Sequence, residues 1–143
     1  MEFYINAQMK RFNLLMSEID AAYHDAALKL GMSDSVMLIL YTVCSCDGEC
    51  LLSDITSGAS KQTINSALRK LEAEGIVYLE VFEGRKKKVY ITEKGRQLAK
   101  DTVLKIIEIE NKIFDSWSGD EKSIYIDLTQ RYLAGFKEKV KEL

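Results

Sequence analysis

The chain has 143 residues and a net charge of −2, from 20 Lys or Arg against 22 Asp or Glu. This length predicts one domain with its own core, and the charge balance excludes a generally basic binding protein. No apolar run approaches the roughly 20 residues of a membrane span, and the polar start is unlike a signal peptide. Three cysteines fit a reducing compartment, so we expect a cytoplasmic protein.

A heptad spacing of apolar residues runs through the N-terminal region. The residues alternate in steps of four and three: Ile5, Met9, Phe12, Met16, Ile19, Tyr23, Ala26 and Leu30. This spacing predicts one long helix with an apolar stripe. The chain has no proline, so its long helices lack the strongest helix breaker.

Three cysteines cluster where the second predicted helix ends. They are Cys44, Cys46 and Cys50. They fit small buried core residues, or a thiol sensor in which one cysteine resolves the sulfenate of another. A third interpretation is a soft-metal site with Asp47, Glu49 or His24 as fourth ligand, although the C-x-C-x3-C spacing is not a standard zinc pattern.

Residues 52–95 predict a short helix, a turn, a second helix and a hairpin. Ser60 is placed to cap the second helix, and Gly75 to end it. Its apolar stripe is Ile64, Ala67, Leu68 and Leu71. Residues 76–82 and 88–92 are rich in β-branched and aromatic types, which predicts two strands joined by the turn 83–85. Thr92 is placed to cap a following helix.

This order of parts is typical of a winged helix-turn-helix, in which the second helix enters the DNA major groove and the hairpin reaches the backbone. Residues 60–96 hold nine Lys or Arg against five Glu, so the segment carries +4 and the remainder −6. A local basic surface on an acidic body fits a protein that contacts phosphates only where it docks. The alternative for the run 85–88 is a solvated hairpin tip.

Side-chain chemistry divides the candidate DNA contacts. Gln62 and Asn65 suit adenine, and Arg69 suits guanine or phosphate. The start of the helix favours phosphate through its free amides and dipole. The candidate DNA-binding residues are Ser60, Lys61, Gln62, Thr63, Asn65, Ser66, Arg69, Arg85, Lys86 and Lys87.

The C-terminal third predicts two more long helices. One runs from about Glu93 to Ser118, and a capping box of Ser118 and Glu121 starts the last. The first and last two helices carry more apolar surface than a small winged domain can cover. We expect a two-fold dimer with half-sites about one DNA turn apart, hence a palindromic operator. The alternative is that these helices fold back on their own monomer.

Two motifs carry a resemblance to a known family. They are S-K-Q-T-I-N-S-A-L-R-K-L-E-A-E-G-I-V at 60–77 and V-Y-I-T-E-K-G at 89–95. Over nearly its whole length the chain resembles the MarR family of transcriptional regulators. The resemblance implies one domain, 1–143, with a winged helix-turn-helix at 33–96 and dimerisation helices at 1–31 and 97–143. It also implies that Arg85, in Glu-Gly-Arg-Lys, takes the role of the family's wing arginine in the minor groove.

The sequence therefore predicts a mainly α protein with a small β-hairpin wing. The expected function is a dimeric, sequence-specific DNA-binding regulator. By resemblance it is a repressor relieved by a small ligand or by thiol oxidation. The alternative is a winged helix that binds protein instead of DNA. No phosphate loop, metalloprotease motif or nucleophile elbow occurs, so we expect neither an enzyme nor a cofactor.

Overall fold

The computed structural model describes residues 2–55 and 60–143. The helices are α1 (Ala7–Lys29), α2 (Asp34–Ser45), α3 (Leu52–Ile55), α4 (Lys61–Ala73), α5 (Glu93–Asp101), α6 (Val103–Asp115) and α7 (Gly119–Val140). The strands are β1 (Glu49–Leu51), β2 (Val77–Phe82) and β3 (Lys86–Ile91). The predicted class, mainly α with a small β wing around a helix-turn-helix, is confirmed.

The three strands form one antiparallel sheet in the order β1-β3-β2. The hairpin register runs from Val77 opposite Ile91 to Phe82 opposite Lys86. β1 pairs with the other edge of β3, with Cys50 opposite Val89. The hairpin was predicted, although β3 begins two residues earlier than expected. β1 was not predicted.

The chain divides into two compact units, and the first runs to Ile106. Its core contains α2 residues and the apolar stripe of α4, together with residues of the sheet and the start of α6. The largest fully buried side chains are those of Ile39, Leu40, Val43, Ile55, Ile64, Leu71, Val77, Val89 and Val103. Burying the α4 stripe against α2 and β2 fixes which face of α4 remains in solvent.

The predicted caps are confirmed. The Ser60 hydroxyl accepts from the Thr63 amide at 3.2 Å, and Gly75 adopts a φ of 74° after the last turn of α4. The Thr92 hydroxyl accepts from the Gly95 amide at 3.0 Å, which begins α5 directly after the hairpin. These contacts fix the start and end of α4 and the start of α5, on either side of the hairpin.

Two long helices differ from their predictions. α1 begins at Ala7, because Asn6 caps it through a bond to the Met9 amide, so Ile5 precedes the helix. The single helix predicted over 93–118 is wrong. It breaks at Thr102, whose φ of −131° and ψ of −99° are not helical. The Thr102 hydroxyl donates to the Leu98 carbonyl at 2.8 Å, a back-bond that bends helices. The turn predicted between α3 and α4 falls at 56–59, outside the described residues.

The second unit covers Ile107–Leu143. Its turn is held by an aromatic cluster, since Trp117 lies 4.9 Å from Phe114 and 5.4 Å from Tyr125 between ring centroids. The predicted capping box is confirmed, with Ser118 and Glu121 exchanging two hydrogen bonds. Every residue of α7 is at least partly exposed, including its large apolar residues.

None of the described helices is long and apolar enough by itself to cross a membrane. α1 and α2 meet that criterion only when joined across the 94° bend between them.

Candidate nucleic-acid interface

α4 presents a polar outer face because its apolar stripe is buried. Ile64, Leu68 and Leu71 are each at most 3% exposed. The polar residues on the opposite side of the helix therefore face outward. Of the predicted contacts on this helix, Lys61, Gln62, Thr63, Ser66 and Arg69 are exposed and Asn65 is half-buried.

The N-terminus of α4 uses two hydroxyls for its own cap. The Ser60 hydroxyl donates to the Thr63 hydroxyl at 2.6 Å while it accepts from the Thr63 amide. Thr63 is exposed as a whole residue. Both residues lie at the positive end of the helix dipole, where an anion is favoured.

The wing ends in a tight basic tip. Phe82 opposite Lys86 is the last pair of the hairpin, and Glu83 and Gly84 turn the chain with φ of 44° and 75°. Arg85, Lys86 and Lys87 follow and are all exposed. They form no ion pair within the described parts of the chain.

Lys88 differs from these three cations. Its ammonium lies 3.9 Å from the Glu49 carboxylate and 4.5 Å from the centroid of the Phe82 ring. An ion pair and a cation–π contact hold it on the sheet. Lys88 is therefore engaged within the protein, and the cations free for a ligand are those nearer the tip.

One groove brings the helix and the wing together. It has a volume of about 580 Å³. Its lining residues are Leu51, Leu52, Ser53, Lys61, Asn65, Arg85, Lys86 and Lys87. A smaller groove of about 240 Å³ shares Asn65 and Lys87 and adds Arg69. Six of the predicted contacts thus line adjoining grooves, while Ser60, Gln62, Thr63 and Ser66 line neither.

Charge in the larger groove has one sign. Four of its lining residues are cations and none is acidic. Asn65 lies among them with both a donor and an acceptor, as an amide that reads a base edge requires. The arrangement is suited to a polyanion whose backbone meets the cations while a base edge faces Asn65.

Sequence reasoning missed the α3 side of this groove. Leu51, Leu52 and Ser53 line it because β1 pairs with β3 and delivers the start of α3 beside the wing. A three-residue strand without alternation gives no clear periodic signal.

The three cysteines occupy different environments. Cys46 is exposed, Cys44 is half-buried and Cys50 is buried on β1, and all are free thiols. Burial, with smaller contributions from the neighbouring Cys46 and Asp54, raises the pKa of the Cys50 thiol to about 12. Burial also raises the pKa of Cys44, partly opposed by Arg96.

The metal interpretation of the cysteines gains no geometric support. His24 pairs instead with Asp34, with Nδ1 2.8 Å from a carboxylate oxygen. Within residues 2–55 and 60–143, no three His, Cys, Asp or Glu side chains come together as a metal site requires.

Known proteins match this chain in structure and not in sequence. No protein-family model matches the chain, and no curated protein matches it. Several solved MarR-family regulators do share its architecture. NMB1585 of Neisseria meningitidis superposes with a TM-score of 0.76 at 21% identity, covering 95% of this chain and 96% of that protein. The chain has the MarR-family fold.

Two further proteins of similar structure were solved with bound partners. NadR, in complex with 4-hydroxyphenylacetate, has a TM-score of 0.70 and 12% identity over 92% of this chain and 96% of that one. MepR of S. aureus, in complex with DNA, has a TM-score of 0.63 and 17% identity over 94% and 99%. The predicted resemblance to the MarR family is confirmed at the level of the fold by the solved MarR-family regulators described above.

Proposed function

We propose that this chain is a homodimeric, sequence-specific DNA-binding transcriptional regulator that acts in the cytoplasm and is not an enzyme. The observation that carries the proposal is the groove between α4 and the wing, with four cations, no acid and Asn65 in its lining. The DNA complex of the structurally similar MepR supports it. The proposed DNA-binding region is residues 33–96.

Within this proposal, the contacts have two roles. Lys61, Arg85 and Lys87 bind phosphates or the minor groove, which positions the protein on any sequence. Gln62, Asn65 and Arg69 address base edges in the major groove, which gives specificity. Ser60, Thr63 and Ser66 add hydroxyl contacts to the backbone, and Lys86 adds a second wing cation.

We also propose that residues 1–31 and 97–143 form the dimer. α1 and α7 leave many large apolar side chains in solvent. They include Phe12, Leu15, Met16, Ile19, Ile124, Leu128, Tyr132, Leu133 and Phe136, each at least 40% exposed. Apolar surface of this extent indicates a partner, and a second copy of the chain supplies the same helices symmetrically. A two-fold dimer presents two DNA-binding regions to a palindromic operator.

The proposed mode of control is repression relieved by a small ligand or by thiol oxidation. The ligand complex of NadR supports the first route. For the second route, Cys46 is the accessible thiol. Oxidation begins at exposed thiolates, whereas the raised pKa of Cys50 keeps that residue protonated.

Salt-dependent DNA binding tests the proposed interface. Fluorescence anisotropy on a random-sequence duplex should show binding that weakens steeply with salt. Arg85→Ala should weaken binding to every sequence and lower the salt slope by about 1, because one cation that neutralises the charge of the DNA backbone is lost. Lys105→Ala removes an exposed α6 cation outside the groove and should leave the slope unchanged.

Asn65→Ala separates specificity from affinity. The substitution should weaken the free energy of DNA binding by about 1–3 kcal/mol at sites that contain particular base pairs, and by little on random DNA. Equal losses on specific and random duplexes would contradict its role as a base reader. Salt-insensitive binding, or none on any duplex by folded protein, would favour the alternative in which the winged helix binds a protein.

A further inference from the structure

β2 is an edge strand of the wing sheet. The strand order is β1-β3-β2, so β2 has a neighbouring strand on one side only. Apart from β3, it packs mainly against α4. Its sequence is Val-Tyr-Leu-Glu-Val-Phe over Val77–Phe82. We propose that the free edge of β2 is a contact surface for a second copy of the chain, whose own β2 adds to it as an antiparallel strand.

The hydrogen bonds of the hairpin show which backbone groups face this edge. The Thr92 amide donates to the Ile76 carbonyl at 3.0 Å, and these residues are opposite each other when the hairpin register is continued by one pair. Bonded and non-bonded pairs alternate in an antiparallel ladder, so the even-numbered residues of β2 bond to β3. The amides and carbonyls of Leu79 and Val81 therefore point away from β3. They form no hydrogen bond within the described residues.

β2 lacks the features that commonly prevent edge strands from pairing. It contains no proline and no lysine, and its register with β3 is unbroken by a bulge. Glu80 is its one charged residue, while Val81 is 70% exposed, Tyr78 44% and Phe82 37%. Six-residue segments with high β-propensity, low charge and no proline readily pair with copies of themselves. The composition of β2 therefore favours a second β2 as the added strand.

One antiparallel register uses only the exposed part of the strand. With a two-fold axis at Glu80, Leu79 of one copy lies opposite Val81 of the other, and Tyr78 lies opposite Phe82. The free backbone groups then bond to each other on both sides of the axis. Apolar pairs form on one face of the joined sheet and aromatic pairs on the other, and both kinds stabilise sheets. Val77 is 2% exposed, and this register does not require it.

The charge of Glu80 weakens this contact. The two-fold axis places the Glu80 carboxylates of the two copies opposite each other, which opposes pairing. Lys88 lies opposite Glu80 in the hairpin register, although its ion pair is with Glu49. Lys88 therefore offsets the repulsion only in part. We expect the copies to associate reversibly and only at high protein concentration.

Strand addition leaves the larger candidate DNA groove open, because no β2 residue lines that groove. The proposed dimer of residues 1–31 and 97–143 has two wings, so pairing of β2 edges would join one dimer to the next. Dimers on neighbouring stretches of DNA would then bind cooperatively. This consequence rests on the proposed DNA-binding function, whereas pairing of the strands does not.

Sedimentation velocity of the full chain without DNA tests the pairing. As the concentration is raised to about 200 μM, the wild type should form species larger than the one present at low concentration. Val81→Pro should weaken this association at least about tenfold, because each copy loses a donor at the free edge while the β2–β3 bonds are kept. Val81→Thr is the matched control. It keeps the amide and the β-branched shape, so it should associate within about twofold of the wild type.

Glu80→Gln provides a test in the opposite direction. Removing two like charges that face each other should tighten the association about threefold. The larger species should return to the small one on dilution, which distinguishes pairing from aggregation of misfolded protein. Glu93→Gln, which removes an exposed carboxylate of α5 outside β2, should associate like the wild type.

The proposal is overturned if the wild type forms no larger species at about 200 μM, or if Glu80→Gln does not tighten the association. It is also overturned if Val81→Pro, folded by circular dichroism, associates like the wild type; if that variant is unfolded, Glu80→Gln decides. Binding to a random-sequence duplex long enough for two dimers is measured separately. An equally steep binding curve for Val81→Pro would overturn the cooperativity, and absent DNA binding would overturn the proposed function without affecting the pairing.

Discussion

Replacing Gly95 with alanine should destabilise the winged core, although alanine is the better helix former. Gly95 lies in the first turn of α5 and is buried. A Cβ at this position would overlap the Ile76 carbonyl oxygen and lie 2.6 Å from Ile91 Cγ1. Because the obstacle is backbone, a side-chain rotation cannot relieve the overlap. The start of α5 must therefore move away from the Ile76 backbone, which lies between α4 and β2.

The expected cost follows from what that movement disturbs. Overpacking of a core costs about 1–3 kcal/mol. Moving α5 also weakens the bonds from the Thr92 hydroxyl, 2.6 Å from the Gly75 carbonyl and 3.0 Å from that of Ile76. One such bond contributes about 1 kcal/mol. Alanine regains about 1 kcal/mol of helix propensity. The loss of one bond and the gain in propensity offset each other, so the net loss should be about 1–3 kcal/mol of unfolding free energy.

Urea unfolding followed by far-UV circular dichroism measures this loss. Protomer concentration must be held fixed, because a dimer makes apparent stability depend on it. Gly119→Ala is the matched control, since its Cβ would meet nothing within 4 Å, and it should only gain helix propensity, raising stability by up to about 1 kcal/mol. A Gly95→Ala protein as stable as the wild type, or more stable, would refute the close packing of α5 against Ile76.

Three further predictions concern other parts of the chain. The Ser118 amide donates to the Glu121 carboxylate and lowers its pKa, so NMR titration should place Glu121 below an ordinary glutamate. Ser118→Ala keeps the backbone amide and removes only the smaller contribution of the hydroxyl, so it should raise that pKa part of the way; in the wild type the stabilising contact should be lost as the pH falls through the lowered pKa. At mildly alkaline pH, iodoacetamide should modify exposed Cys46 well before buried Cys50, whose pKa is about 12, as mass spectrometry would show. Phe136→Glu should shift sedimentation from dimer to monomer if α7 lies in the dimer interface, and an unchanged dimer would exclude Phe136 from it.

The helices and their caps were predictable because their signals are local. Ser60, Thr92 and Ser118 each bond an amide within three residues, so sequence spacing suffices to find them. β1 was not predictable, since its three residues form a strand only by pairing with β3, as in Glu49 opposite Tyr90. The break at Thr102 was missed because neither proline nor glycine marks it; the structure shows the Thr102 hydroxyl bonded to the Leu98 carbonyl there.

The candidate site was predictable on α4 and at the tip of the wing. Periodicity alone turns Lys61 and Arg69 outward once the apolar stripe is buried. The structure was needed to show that Asn65 of α4 and Lys87 of β3 line the same groove.

Selection of bound sequences from a random duplex pool tests the central claim most directly. It uses purified, reduced protein at near-physiological salt, where specific binding is distinguishable from phosphate binding. We predict enrichment of a palindrome with half-sites about one helical turn apart, and loss of that base preference in Asn65→Ala. A folded, dimeric protein that enriches no sequence would contradict the account of α4 and the wing as a DNA reader.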